Sequence, residues 1–512
     1  MLDTESSALA HAAQNIALIL LSLAFLPLDT SILLASYAVN LVYTPQAVKN
    51  RRHVRSTYTP YFEPKTILVT GVGMTKGLAL ARIFYSAGHN VIGADFEPLL
   101  IPTACGRVSK ALKAFYKLSK PDGTREKKDA YTEGLVEIVR KENVDLWVSC
   151  SGVASAVEDG MAKEMVEAVS TCKAVQFDVA TTKRLHEKHS FIEYVKSVGL
   201  PVPETHTVTS KAAVLQLLDD AAISGTKYIM KFIGTDDLVR GDMTLLPLSS
   251  PSLTKAHISR LGISEDRPWI LQQYIDGPEY CTHALCVKGE VKAFVACPSA
   301  ELLMHYTALP ADSALSMSML RFTQEVAAAS GPTFTGHCSF DFMVEKEDAE
   351  AALHDKTKNV RLYPIECNPR AHTAVALFND TPEMVDGYLS LLGPKQIRRS
   401  PATTPNGLAP LPVFPTTTYR YNWVGHDLAE FVLLPILALF SDKRPTVAEF
   451  LKRMLTMLQH LLTWRDGTYE LWDPLPAWWL YHVYWPTQFL MALLFQRKWS
   501  RVNVSTCKMF MC

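Results

Sequence analysis

The stretch from Thr66 to Asp95 constrains this chain more than any other. Thr66–Gly71 (TILVTG) is an apolar strand pattern ending in glycine. Met74–Ala87 has helical periodicity and stops at Gly88, and Asn90–Asp95 (NVIGAD) is a second strand. A strand, a helix and a strand in so short a span join naturally as a parallel β-α-β crossover. Leu135–Lys141 followed by Asp145–Cys150 repeats helix and strand, so the expected fold class is α/β. Gly71, Gly73 and Gly77 read G-x-G-x-x-x-G, one residue longer than a dinucleotide fingerprint. Asp95 ends the second strand, where a ribose-binding acid would sit. Tyr116 and Lys120 form a Y-x-x-x-K in a basic, loop-like segment (KAFYKLSK). One reading is therefore an NAD(P)-dependent oxidoreductase. The spacing favours glycines that only shape a tight turn, or a turn that holds a substrate.

Composition narrows the class. Lys+Arg 51 balance Asp+Glu 51, hydrophobic residues make up 48% and charged residues 20%. That excludes a disordered tail, a collagen-like fibre and a coiled coil, and removes the bulk basicity expected of a nucleic-acid partner. The 10 Cys include no C-x-x-C pair, so no zinc ribbon or thioredoxin-type site is indicated and a reducing, cytoplasmic compartment is expected.

Both ends are unusual. Residues 16–28 and 32–43 are apolar runs interrupted by Pro27 and Asp29, followed by Lys49, Arg51, Arg52 and Arg55. The runs suit a membrane span, a hairpin or an interfacial anchor, or helices buried on the protein's own surface; the basic cluster favours a cytoplasmic domain after them. Pro401, Pro405, Pro410, Pro412 and Pro415 read as a linker. Beyond it, residues 419–512 hold seven of the nine Trp, and Thr446 with Glu449 forms a capping box before a helical apolar pattern. These aromatics suit a membrane interface or a helical subdomain packed on the main body, and packing is the favoured expectation.

The middle carries the chemistry. Residues 181–200 read as one capped helix with Lys188 near its start, placed to meet a phosphate. Tyr228–Ile233 is a strand with Lys231 inside an apolar run, and a buried Lys needs a partner. The following Gly234–Asp242 loop has few glycines but contains Arg240, a cation that can contact phosphate. Trp269–Ile275 is a strand whose Gln272, Gln273, Tyr274 and Ile275 can offer backbone groups to a planar base, with Glu279 past the turn for ribose hydroxyls. His337–Val344 places Asp341 between Phe340 and Phe342. After a charged, hairpin-like insertion (Glu345–Asn359), Arg361–Cys367 leads into Glu366-Cys367-Asn368-Pro369-Arg370. Glu366 and Asn368 share a strand face. With Asp341 they make an all-oxygen set suited to Mg²⁺, with Mn²⁺ as the alternative, and not to zinc. The Glu301–Pro310 segment and the Gly234–Asp242 loop are candidate lids.

In this order the pieces resemble the ATP-grasp superfamily over roughly residues 66–395. Within it the chain is similar to the family of mycosporine-glycine-synthesising ligases and fungal natural-product ATP-grasp enzymes of the fumisoquin type. The similarity rests on VTGVGMTKGLALAR, DLVRGDMTLLP and YPIECNPRAHTAVALF. It implies an apolar N-terminal segment (1–64), an α/β pre-domain (65–180), an ATP-grasp domain of two α+β lobes clasping ATP (181–395), a Pro-rich linker (396–418) and an aromatic-rich C-terminal region (419–512). It also implies roles. Lys188, Lys231 and Arg240 bind ATP phosphates, Gln272 to Ile275 hold adenine, and Glu279 holds ribose. Asp341, Glu366 and Asn368 hold Mg²⁺. Arg370 and Lys231 act on the transferred phosphoryl group, and His372 and Thr373 face the acceptor. The implied partners are ATP, a small-molecule acceptor and an amino-acid-like amine, in secondary-metabolite biosynthesis. The third reading, a non-catalytic nucleotide-binding membrane scaffold, does not need the full metal set.

Overall fold

The computed structural model describes residues 6–57, 62–97, 101–150, 152, 155–232, 243–299, 304–393, 411–438 and 446–512. The two N-terminal apolar runs form one helix, α1 (Ala8–Val42), which continues through Pro27; α2 (Gln46–Thr57) follows. By length and composition this segment is long and apolar enough to cross a membrane.

The expected crossover is present: β1 (Thr66–Thr70), α3 (Thr75–Ser86) and β2 (Asn90–Phe96), with β1 parallel to β2. β3 (Leu112–Leu118), α4 (Arg125–Glu142), β4 (Leu146–Val148), α5 (Ala156–Val169) and β5 (Lys173–Val175) complete a parallel sheet of order β3-β2-β1-β4-β5. Two sequence readings are corrected here. KAFYKLSK is not a loop: Leu112–Leu118 is an edge strand. Its one covered face needs no continuous apolar run, and its lysines suit a sheet edge. The helix before β4 begins at Arg125, capped by Thr124; its first turns are charged and its buried side begins only at Tyr131, so the apolar period does not show them.

α6 (Val179–His186) and α7 (Lys188–Ser197) replace the single helix read over 181–200. Asp178 caps α6, and Glu187 is extended at the break, so Lys188 opens the second helix. Next come β6 (Thr205–Val208), α8 (Lys211–Ser224), β7 (Tyr228–Phe232), α9 (Pro251–Arg260) and β8 (Trp269–Gln273). They form an antiparallel sheet of order β6-β8-β7 with its own core around Val214, Leu218, Trp269 and Leu271.

The second lobe contains β9 (Glu279–Val287), β10 (Glu290–Pro298), α10 (Ala314–Ser330), β11 (Gly336–Met343), α11 (Lys346–His354) and β12 (Tyr363–Asn368), with antiparallel order β10-β9-β11-β12. The charged insertion read as a hairpin is the helix α11; Ala349 and Ala352 face the core while its acids face solvent. A parallel pre-domain followed by two α+β lobes is the layout expected of an ATP-grasp fold.

The C-terminal region is helical and packed. After α12 (Met384–Leu389) come β13 (Tyr421–Asn422), α13 (Val424–Leu428), α14 (Leu434–Ala438) and α15 (Val447–Thr463), the last with the expected Thr446/Glu449 capping box. β14 (Arg465–Asp466), α16 (Leu475–Trp479), α17 (Trp485–Leu494) and the hairpin β15 (Trp499–Asn503)–β16 (Lys508–Met511) complete it. Trp423, Trp485, Phe489 and Trp499 share one core with Leu80 and Phe84 of α3 and Leu285 of β9. Arg82 on α3 is buried against Asp473, with Nε 3.0 Å from Oδ2, and its other nitrogens donate to the Thr468 and Asp473 carbonyls. Part of the proline stretch lies outside the described residues. Its far end is pinned: Val413 exchanges backbone hydrogen bonds with Lys292 and Phe294 at the β10 edge.

Candidate functional site

The second-lobe sheet brings the oxygen set together. Register pairs Asp341 of β11 with Glu366 of β12, and Ser339 with Asn368. Asn368 donates from Nδ2 to Asp341 Oδ2 at 3.2 Å, and Arg370 donates from Nη1 to Asn368 Oδ1 at 2.7 Å. Lys188, at the start of α7, reaches Glu366 with Nζ 2.8 Å from Oε2. The helix break carries that lysine to the sheet.

Lys231 points into the same space from β7. It donates to Gln272 Oε1 at 2.6 Å. Burial first, then the Lys188 charge, lowers its pKa to about 8, while Glu366 and Glu279 act in the opposite direction. Asp341 is pushed well above the usual carboxylate range by burial, then by the charges of Glu366 and Glu279. Asp341 feels the charges of both Glu366 and Glu279, and a hard divalent cation would relieve that repulsion. All the donors are oxygens, so the residues present fit Mg²⁺. In this arrangement Asn368 turns its amide oxygen to Arg370.

Other expected residues fall differently. Gln273 does not join the cluster: side chains alternate along β8, and its Oε1 accepts from the Glu204 N–H. Nor is β8 an edge that offers N–H groups to a base. It is the central strand, and the N–H groups of Gln273 and Tyr274 donate to the Glu204 and Lys227 carbonyls. Tyr274 is half-buried and Ile275 buried at the lobe junction. Glu279 opens β9 and accepts from Ser299 Oγ at 2.7 Å. Gly277, in the turn between, has no room for a side chain, since a Cβ would lie 1.9 Å from the Val344 carbonyl oxygen. Arg240 and its loop lie outside the described residues, as do residues 301–303 of the other candidate lid. The rest of that segment is no lid: Met304 and Tyr306 are buried, and Tyr306 pairs with Tyr421.

The Gly71 turn is not an open dinucleotide crevice. Asp95 Oδ2 accepts the Gly73 N–H at 2.5 Å, and Oδ1 accepts the Phe96 N–H. A Cβ at Gly73 would meet Asp95 Oδ2 at 2.8 Å. The Asp95 carboxylate therefore braces the turn. Thr75 N donates to the Ser505 carbonyl, and Cys105 and Cys507 thiols donate to the Gly73 carbonyl, so the C-terminal hairpin covers the turn. Tyr116 Oη donates to Glu142 at the sheet edge.

Sequence reading missed the residues behind Arg370. Lys76, in the first turn of α3, is buried and donates to the Ala371 carbonyl at 3.0 Å. Burial, then the neighbouring Arg370 charge, lowers its pKa to about 7. His283 on β9 and His337 and Ser339 on β11 are buried nearby. Among the described residues, His283 Nε2, His337 Nδ1 and Ser339 Oγ have no hydrogen-bond partner. Burial holds His337 and His372 neutral, each with a pKa of about 3. His372 caps the short helical turn at Thr373–Phe378, and Thr373 Oγ1 lies 3.2 Å from Ser505 Oγ. The lysine of GMTKG was the available signal; only the tertiary fold brings it to Arg370. Cys338 and Cys367 are buried, free and packed in the second-lobe core, as small hydrophobes.

No protein-family model matches the chain, and no curated protein matches it. Solved structures do. An ADP complex of N5-carboxyaminoimidazole ribonucleotide synthetase is 12% identical, covering 79% of this chain and 99% of that one, with a TM-score of 0.47. N5-carboxyaminoimidazole synthetase from Staphylococcus aureus complexed with ADP is 14% identical over 61% of this chain and 72% of its own, at a TM-score of 0.41. L-amino acid ligase from Bacillus licheniformis is 14% identical over 61% and 68%, at a TM-score of 0.38.

Proposed function

We propose that this chain is an ATP-dependent ligase of the ATP-grasp superfamily that phosphorylates a carboxylate or an enol-type oxygen and forms a C–N bond from its carbon to an amino-acid-like amine. The single observation that carries the reading is the convergence of Asp341, Glu366, Asn368, Lys188, Lys231 and Arg370 at the facing lobes. Lys188 and Lys231 bind the ATP phosphates. Tyr274 and Ile275 line the base, Gln272 orients Lys231, and Glu279 is left for the ribose. Held by Asp341, Glu366 and Asn368, Mg²⁺ would neutralise charge on the phosphate oxygens.

The γ-phosphoryl group passes to the acceptor oxygen, and ADP leaves. The amine then attacks the activated carbon, and the C–O bond to phosphate breaks. Arg370 holds the phosphoryl oxygens through both steps, and Lys76 presents a second cation from the pre-domain side. The unpartnered His283, His337 and Ser339 atoms are hydrogen-bonding groups for the acceptor. On this reading the acceptor binds between pre-domain and second lobe, beside these groups. We assign the work to secondary-metabolite biosynthesis in the cytoplasm, with attachment to a membrane through the N-terminal helix. The domain limits belong to the same proposal: 1–64, 65–180, 181–395, 396–418 and 419–512.

Glu366→Gln tests the reading. It predicts that the variant binds nucleotide by calorimetry and loses turnover. A non-catalytic scaffold predicts no change in function, and unaltered turnover in this variant would refute the ligase.

A further inference from the structure

Helix α1 is polar where it is most buried. The side chains it buries are polar: His11, Asn15 and Ser36. Asn15, Ser22, Asp29 and Ser36 recur every second turn and all meet the C-terminal extension. Trp499 Nε1 donates to Asn15, Ser22 donates to the Tyr481 carbonyl, His482 pairs with Asp29, and Ser36 bonds Tyr469. Asn40 closes the row on the Leu471 carbonyl. The opposite face is apolar and exposed, including Leu23 (56%) and Leu34 (61%). A helix facing water shows the reverse arrangement; polar contacts inward and hydrocarbon outward are the pattern of a helix facing lipid.

Helix α15 repeats this. Its only buried residue is Met457. Leu451, Leu455, Leu458 and Leu462 form one helical stripe, exposed at 55%, 66%, 52% and 75%. Lys452 and Arg453 stand exposed beside it, placed for anionic headgroups. His460 Nδ1, 2.7 Å from Asp427 Oδ2, ties the helix to the body, so the leucines are not displayed by a loose segment. Between α1 and α15 opens an apolar cavity of about 600 Å³, lined by Leu18, Phe25, Leu433, Met457, Trp478 and Phe489.

We propose that α1, α15 and this cavity form one bilayer-docking surface, lying in the plane of the membrane, whose cavity receives hydrocarbon chains from the facing leaflet. The inference deepens the membrane attachment proposed above and rests on it. It is independent of the ligase chemistry. The in-plane geometry follows from the polar row: α1 is latched from Asn15 to Asn40 onto an extension that is itself bolted to the pre-domain through Arg82 and Asp473. A span could not leave that surface without breaking every latch. The exposed leucines and adjacent cations select a lipid surface over a second copy of the chain.

The test uses the full-length protein with vesicles of phosphatidylcholine and phosphatidylserine, by flotation. Quenching of tryptophan fluorescence by brominated phosphatidylcholine reports on the cavity, which Trp478, Trp485 and Trp499 line. The comparison is L451D/L455D/L458D, at exposed positions; circular dichroism and the melting curve check its fold. The expected result is that wild type floats and is quenched, while the folded variant loses partition about tenfold or more and loses the quenching. If wild type and variant float equally, α1 alone attaches the protein and the proposed surface is wrong. If wild type floats unquenched, the cavity takes no lipid chain and the proposal is overturned there. If wild type fails to float, the attachment itself is wrong, and a second copy seated on this face would then appear as a dimer in sedimentation.

Discussion

Lys188 Nζ lies 2.8 Å from Glu366 Oε2, joining the first residue of α7 to the middle of β12. The contact exists because the helical segment breaks at Glu187 instead of running on. Lys188→Met removes this contact and should raise the KM for ATP about tenfold or more, the scale of one charged hydrogen bond. Lys188→Arg should recover part of that loss. Steady-state kinetics decide it; an unchanged KM in the Met variant would remove Lys188 from the phosphate site.

Lys76 ties stability to pH. Its folded pKa is about 7 against an ordinary 10.5, so between those values the unfolded chain binds more protons than the native one. From this group, stability is greatest above 10.5, rises with pH across that window and is lost as pH falls through 7. Urea midpoints at pH 7 and pH 9 should therefore rise more in wild type than in Lys76→Met. The same variant should lose turnover, because a cation behind Arg370 is gone. Equal midpoint shifts in the two proteins would contradict the buried-lysine account.

Arg82 and Asp473 form a buried pair that Ser109 Oγ and Lys110 N also satisfy. Removing one partner strands a charge, so Arg82→Met should destabilise the chain by about 3–5 kcal/mol. Thermal melts of R82M, D473A and the double variant would show a double cost well below the sum of the singles. Full additivity would mean that the two groups do not interact.

Much of this was legible in the sequence, and the limits have physical causes. The β1-α3-β2 crossover and the Asp341/Glu366/Asn368 set follow from periods that a strand or helix imposes locally. Several readings change in the folded chain. Leu112–Leu118 looked like a loop because an edge strand can be basic. Strand alternation turns the Gln273 side chain away from Gln272, to the Glu204 N–H. The break at Glu187 leaves no composition signal, and Lys76 meets Arg370 only once the pre-domain docks. The polar row on α1 was readable as a period, but its meaning needed the extension that covers it.

Tyr116 separates the enzyme classes cheaply. It is hydrogen-bonded to Glu142 on the sheet edge. Tyr116→Phe should leave ATP turnover unchanged. A loss of activity in that variant would revive an oxidoreductase role for the Y-x-x-x-K pair.

The central claim is that the oxygen set at Asp341 turns over ATP for ligation. The most direct measurement is ADP release by purified protein with Mg-ATP, pooled amino acids and candidate carboxylate or cyclohexenone acceptors, with Asp341→Asn beside it. The account predicts ADP and phosphate, without AMP, only when both substrates are present, and a loss of about a hundredfold or more in Asp341→Asn. ADP release undiminished in that variant, or no nucleotide bound by the wild-type protein, would contradict it.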